Sequence, residues 1–301
     1  MSLLARTYTA KNERGKMIGL CLGMIGIGTA AGPPYGSVMN AFAGKAATFL
    51  TLAGIIASLG IFQLLYTGLK IEKNNEGKRP TAIWDLLKDV YILIALGALV
   101  IVGLLFGGIN GTFTSWLIGR FNPFKWQLGL AYLPFSAAYG LTANLINFVP
   151  LMSWRGLVPI LGFVVSCVGL ISLPFSSSFF ATFGSTLVLG FGTGLTDGII
   201  FPDMATLVDI RHTSGYGSIY ALADIAINVG LIAGPFLASG IVRVLSFPWA
   251  MWILAIICFV YTPCLIAPWY MMKQHQQPTE ETEILLNGSR RPSNQPTSNN
   301  N

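Results

Sequence analysis

Apolar stretches, each long enough to cross a membrane as a helix, alternate along this chain with short polar segments. Eight such runs cover roughly residues 16 to 40, 46 to 68, 90 to 118, 126 to 148, 155 to 175, 180 to 204, 217 to 242 and 248 to 270. A membrane-spanning helix needs about 20 predominantly apolar residues, and each run supplies that length. Helices are therefore predicted throughout. Two longer polar segments break the pattern: GLKIEKNNEGKRPTAIWDLLKD at 68–89, and a tail from Lys273 onward that is too polar to fold alone. These divide the chain into two helices (1–70), a central loop (71–89), a six-helix bundle (90–272) and a disordered tail (273–301).

Composition fixes the class. The 301 residues are 53% hydrophobic and 10% charged, with a mean hydropathy of +0.64, whereas soluble domains carry about 25% charged residues. The chain reads as an all-α membrane protein embedded in a lipid bilayer. Lys and Arg then orient it, since cytoplasmic loops carry their excess. Lys45, Arg120, Lys125 and Arg243 fall on one side of the eight runs and the remaining fourteen on the other, which predicts that both termini are cytosolic. The net charge of +6 is a topology signal, and without a basic face interleaved with aromatics no nucleic-acid partner is expected.

Other chemistries find little support. The N-terminal MSLLARTYTAKNERGK has a polar body where a cleavable leader needs an apolar one. Cys21, Cys167, Cys258 and Cys264 sit in apolar runs without metal-ligand spacing, which predicts inert buried thiols and no metal site. His212 and His275 lie in polar segments, and no nucleophile with a neighbouring base is evident. Neither catalysis nor a cofactor is expected.

An internal repeat says more. Aligning GKMIGLCLGMIGIGTAAGPPYGSV from Gly15 with GSIYALADIAINVGLIAGPFLASG from Gly217 pairs Gly15 with Gly217, Gly32 with Gly234 and Pro33 with Pro235 at a constant offset of 202 residues. Six runs lie in one period, the parallel six-helix repeat of major facilitator transporters, whose substrate site lies near the midplane between the halves. On that reading the eight runs are equivalent to helices 5 to 12, a partial major facilitator fold. Gly19, Gly28, Gly32 and Gly36 are expected to let helices approach closely, and Pro33 and Pro34 to loosen the helix by removing backbone donors.

Four segments carry a family resemblance: LVDIRHTSGYGSIYALAD (207–224), KDVYILIA (88–95), KWQLGLAYLP (125–134) and NERGKMIGLCLG with the following GTAAGPPYGSV. They resemble the vesicular amine transporters, the monoamine type more than the acetylcholine type, over nearly the whole chain to about residue 270. The resemblance implies a proton-coupled antiporter that loads a small organic cation into acidic secretory or synaptic vesicles. Gly19, Gly28, Gly32, Pro33 and Gly36 spell GX8GX3GPX2G, the antiporter signature of the superfamily's fifth helix.

Two acids stand out physically and by resemblance. A carboxylate at membrane depth is expensive and marks an ion or substrate path by default. Asp197 in GTGLTDGIIF and Asp224 in SIYALADIAIN match acids of the family's helices ten and eleven. This predicts Asp197 as the proton carrier and Asp224 as a charge partner and gate element, against the plainer reading of each as a water-exposed helix-end acid. Asp203 has no family counterpart and is expected to face water; Asp209 and Arg211 are expected to pair within a loop. Tyr139, Tyr132 and Trp116 fall where the family has aromatics, which attract an organic ammonium, although aromatics in membrane helices also serve as packing and interfacial anchors.

The departures count too. The family's seventh-helix glutamate falls on Asn110, its neighbouring asparagine on Gly103, an eleventh-helix tyrosine on Leu231 and a lumenal-loop cysteine on Asn122. Asn110 thus joins the predicted substrate cavity with its cation-binding charge missing. The sequon Asn110, Gly111, Thr112 lies inside an apolar run, out of reach of glycosylation. In the tail, Glu281 precedes Leu285 and Leu286 as in acidic dileucine sorting signals, a short pattern that also arises by chance. The expected function is antiport of a monoamine-like cation. Acetylcholine or a polyamine as substrate, or a non-transporting membrane protein, are the alternatives. Eight runs alone are not expected to transport, because half of the midplane cavity belongs to helices one to four.

Overall fold

The computed structural model describes residues 11–67, 83–148, 155–211 and 216–271. Among them there is no strand. The helices are α1 (Lys11–Phe42), α2 (Gly44–Thr67), the short α3 (Ile83–Leu87), α4 (Val90–Phe121), α5 (Lys125–Leu130), α6 (Leu133–Leu145), α7 (Val158–Ser172), α8 (Ala181–Arg211), α9 (Tyr216–Val244) and α10 (Phe247–Tyr261). Single 3₁₀ turns follow α6, precede and follow α7, and follow α10.

Among the described residues, seven helical stretches are long and apolar enough to cross a membrane: Gly15–Phe42, Gly44–Leu65, Val90–Phe121, Arg155–Phe175, Ala181–Arg211, Tyr216–Val244 and Phe247–Met271. The predicted eighth, 126 to 148, is helical but broken into α5 and α6. Pro134 accounts for the break: it has no N–H to donate to the Leu130 carbonyl four residues earlier, so the hydrogen-bond ladder is interrupted although Ala131 and Tyr132 keep right-handed helical geometry. The glutamine of KWQLG helps start α5, its side-chain oxygen accepting from the Phe124 N–H at 2.9 Å.

Lipid offers no hydrophobic drive for helices to associate, so packing depends on how closely backbones approach. The seam between α4 and α9 illustrates this. Cβ atoms built at Gly103 and Gly107 would fall 2.2 and 2.6 Å from the carbonyls of Ile227 and Leu231; at Gly230 and Gly234 they would fall 2.0 and 2.5 Å from those of Val100 and Leu104. Small residues four apart on both helices thus form one continuous contact. Around it, α6 and α7 pack on α8, α10 packs on α7 and α9, and α1 lies across α5 and α6, with α2 against α1. Phe113, Phe163, Leu99, Leu105 and Leu170 fill the core of the six-helix part.

The glycine expectation for α1 needs correction. Gly19 does meet a neighbour, with a Cβ there lying 2.7 Å from Asn147 Nδ2, but a Cβ at Gly28, Gly32 or Gly36 would have no such atom within 4 Å. The packing face of α1 carries Ile18, Leu22, Gly23 and Gly26 instead; Gly26 and Gly140 meet backbone to backbone. Positions paired by the repeat differ likewise. Gly234 is tightly packed and Gly32 is open, while Gly15 is covered by Arg155 and Asn147 and Gly217 is open.

Candidate functional site

Asp197 lies midway along α8 and is 1% exposed. Its surroundings follow from a glycine ladder. Gly190, Gly194 and Gly198 face the backbone of α6 at Phe135, Tyr139 and Ala143, where a Cβ would come within 2.1 to 3.0 Å. That close approach brings the Tyr139 hydroxyl to Asp197, to which it donates at 3.1 Å through Oδ2. Oδ1 is buried and, among the described residues, has no hydrogen-bond partner. Two residues predicted separately from sequence are thus joined in one polar pair between α6 and α8.

Tyr132, Ser136 and Tyr139 recur at helical spacing along one stripe of the broken α5–α6 segment. The first two line a cavity of about 180 Å³ between α1, α4 and α6, together with Thr29, Pro33, Phe106 and Asn110. Its lining carries hydroxyls, one amide and aromatic rings, but no charged side chain. Asn110, one of the lining residues, donates through Nδ2 to the Phe106 carbonyl of its own helix at 2.9 Å. The Tyr132 hydroxyl pairs with Thr114 Oγ1 at 2.7 Å. Pro33 of the GPX2G segment reaches this cavity, and its carbonyl would lie 2.3 Å from a Cβ at Gly129, so that part of α1 is held against α5.

The remaining candidates are placed elsewhere. Trp116 does not line this cavity; it stacks on Phe247 with ring centroids 4.5 Å apart and lies edge-on to Phe121 at 5.6 Å, under the Arg120 guanidinium. Its flat face is used in packing, the alternative its type carried from the start. Asp224 is exposed on α9, and among the described residues no ion pair reaches it. Glu281, Leu285 and Leu286 lie outside the described residues, as do 71–82 and the tail. Gly103 and Leu231, two departures from the family pattern, belong to the α4–α9 seam. Asn122 caps α4 in left-handed geometry, φ 46°, a conformation asparagine adopts readily.

Two expectations about charge are overturned. Asp203 does not face water: it is 9% exposed, and Arg155 Nε donates to its Oδ1 at 3.0 Å. Among the described residues Arg211 pairs with Asp89 rather than with Asp209. Asp89 also caps the start of α4, and Arg211 lies over the Tyr91 ring at 5.1 Å, while Asp209 accepts from the Tyr216 hydroxyl. Sequence spacing hid both pairs because the partners are 48 and 122 residues apart. Asn147, a buried amide in an apolar run, went unremarked, although a polar side chain there must find partners.

A bundle of long apolar helices with a buried acid in its interior is the build of a multi-pass membrane protein, and the sequence matches the Major Facilitator Superfamily over residues 1–222 and again over 155–297. The chain belongs to that superfamily. Among its relatives it is 35% identical to the synaptic vesicular amine transporter of Rattus norvegicus over 263 residues, 87% of this chain and 51% of the relative. With the chromaffin granule amine transporter of Homo sapiens it shares 38% over 264 residues, 87% and 50% of the two chains. With the vesicular acetylcholine transporter of Drosophila melanogaster it shares 30% over 273 residues, 88% and 47%. The chain therefore spans about half the length of the relatives it matches.

Proposed function

We propose that this sequence forms the proton-coupling part of an antiporter that exchanges protons from an acidic vesicle lumen for a small organic cation, of the monoamine kind. The observation that carries the reading is Asp197, an acid 1% exposed in the middle of a helix long enough to span a membrane, with one carboxylate oxygen held by Tyr139 and the other without a partner among the described residues. Carrying an uncompensated charge through a conformational change at membrane depth is costly, so the acid alternates between a protonated and a charged form as the protein opens to each side. Tyr139 steadies one oxygen while the other takes the proton. The cavity at Asn110, Tyr132 and Phe106 supplies aromatic faces and hydroxyls for the ammonium and rings of the solute. Both termini are assigned to the cytosol from the Lys and Arg bias, the membrane is that of a secretory or synaptic vesicle, and Glu281 with Leu285 and Leu286 directs sorting there.

The test is uptake. Acid-interior vesicles from cells expressing a twelve-helix form that carries this sequence are expected to accumulate a labelled aromatic monoamine, with acetylcholine and polyamines competing less well. Asp197→Asn is expected to abolish the accumulation, because an amide cannot cycle between charge states. Accumulation by the twelve-helix form no greater than in vesicles lacking it, or equal uptake by the variant, contradicts the reading.

A further inference from the structure

Five residues beyond Asp197, α8 contains Pro202, yet the helix runs unbroken from Ala181 to Arg211. Proline has no N–H, so the carbonyl four residues earlier, that of Gly198, loses its helical donor. A buried carbonyl without a partner is costly, and in a membrane water does not make up the loss. The side chain of Asn147 replaces the missing donor: its Nδ2 donates to the Gly198 oxygen at 2.9 Å and to the Ala143 oxygen at 3.2 Å. Its Oδ1 accepts from Arg155 Nη2 at 3.4 Å, and the same guanidinium donates through Nε to Asp203 at 3.0 Å. Gly198 precedes the proline and Asp203 follows it. One amide and one guanidinium therefore bridge the break.

The bridge is covered by α1. A Cβ at Gly19 would lie 2.7 Å from Asn147 Nδ2, and one at Gly15 would lie 3.3 Å from Asn147 Oδ1 and 3.5 Å from an Arg155 nitrogen. Glycine at both positions lets α1 lie directly on the bridge.

We propose that Asn147 is a positioning residue that clasps the proline break of α8, taking over the Gly198 carbonyl and tying it through Arg155 to Asp203, with α1 closing over the clasp. Docking of α1 then keeps α8 straight next to Asp197, and its departure frees the helix to bend at Pro202. The functional weight of this rests on Asp197 being the proton site. The clasp itself rests only on the geometry.

Backbone hydrogen exchange of the purified chain, read over 199–206, tests the clasp in two backgrounds. Asn147→Ala is expected to speed exchange there by roughly tenfold, the size expected for one lost buried hydrogen bond. Pro202→Ala restores an N–H for Gly198, so adding Asn147→Ala to it is expected to change exchange less than about twofold, by the same reasoning. An equal effect in both backgrounds, or none in either, overturns the proposal, since a packing role for Asn147 is indifferent to residue 202. If Asn147→Ala does not give folded protein, Pro202→Ala is expected to restore a monodisperse chain on size exclusion, and failure to do so overturns it as well. Exchange does not depend on proton transport: the uptake assay decides the role of Asp197, and the exchange comparison decides the clasp.

Discussion

At the scale of single residues, Tyr139 and Asp197 illustrate how a hydrogen bond and a charge contribute differently. Removing the hydroxyl leaves an acid that still exchanges protons but is less well held, and a typical hydrogen bond is worth about 0.5–1.5 kcal/mol. Tyr139→Phe is therefore expected to lower proton-driven uptake by roughly two- to tenfold, whereas Asp197→Asn removes it. Uptake in parallel vesicle preparations of the twelve-helix form, with matched protein levels, measures both. Asp197 was legible in the sequence because an acid in a glycine-rich apolar run has few inexpensive explanations. Asp203 was not: its partner Arg155 lies 48 residues away, and nothing local distinguishes a paired acid from a solvated one. Asn147 could have been found by asking which group serves the carbonyl that Pro202 leaves unpaired.

Among the helices, glycines decide contact, and sequence reveals their spacing but not their neighbours. Gly26 and Gly28 stand two residues apart on α1, and the same substitution is expected to have opposite consequences. A Cβ at Gly26 would fall 2.2 Å from the Gly140 Cα, backbone that cannot move aside, so Gly26→Ala is expected to destabilise by about 1–3 kcal/mol through overpacking. At Gly28 nothing lies within 4 Å, and Gly28→Ala is expected to be neutral or to stabilise by up to about 1 kcal/mol, the helix-propensity gain. Thermal unfolding of the two variants in one detergent separates them; equal losses contradict the seam described for α1 and α6. The same limit explains the eighth run. Its apolar composition was plain, but the break at Pro134 depends on which carbonyls lose their donors, and hydropathy alone does not register that.

The whole molecule was the most legible level, because apolar run length and composition follow directly from what a bilayer demands of a helix. The repeat pointed to the superfamily for a similar reason, as two halves built alike keep glycine and proline in step even where, as at Gly32 and Gly234, their contacts differ. Sorting is a property of the whole chain. Replacing Leu285 and Leu286 with alanine is expected to raise the fraction at the plasma membrane in a secretory cell line without altering thermal stability, as surface biotinylation reads; equal fractions remove the motif from the account. The central claim is coupling of proton movement to an organic cation through Asp197. It is tested most directly in acid-loaded vesicles containing a twelve-helix form that carries this sequence, challenged with a permanently charged aromatic pyridinium ion that cannot carry protons itself, while internal pH is recorded. The account predicts that the cation evokes proton efflux with the wild type and none with Asp197→Asn; efflux of equal size from both would contradict it.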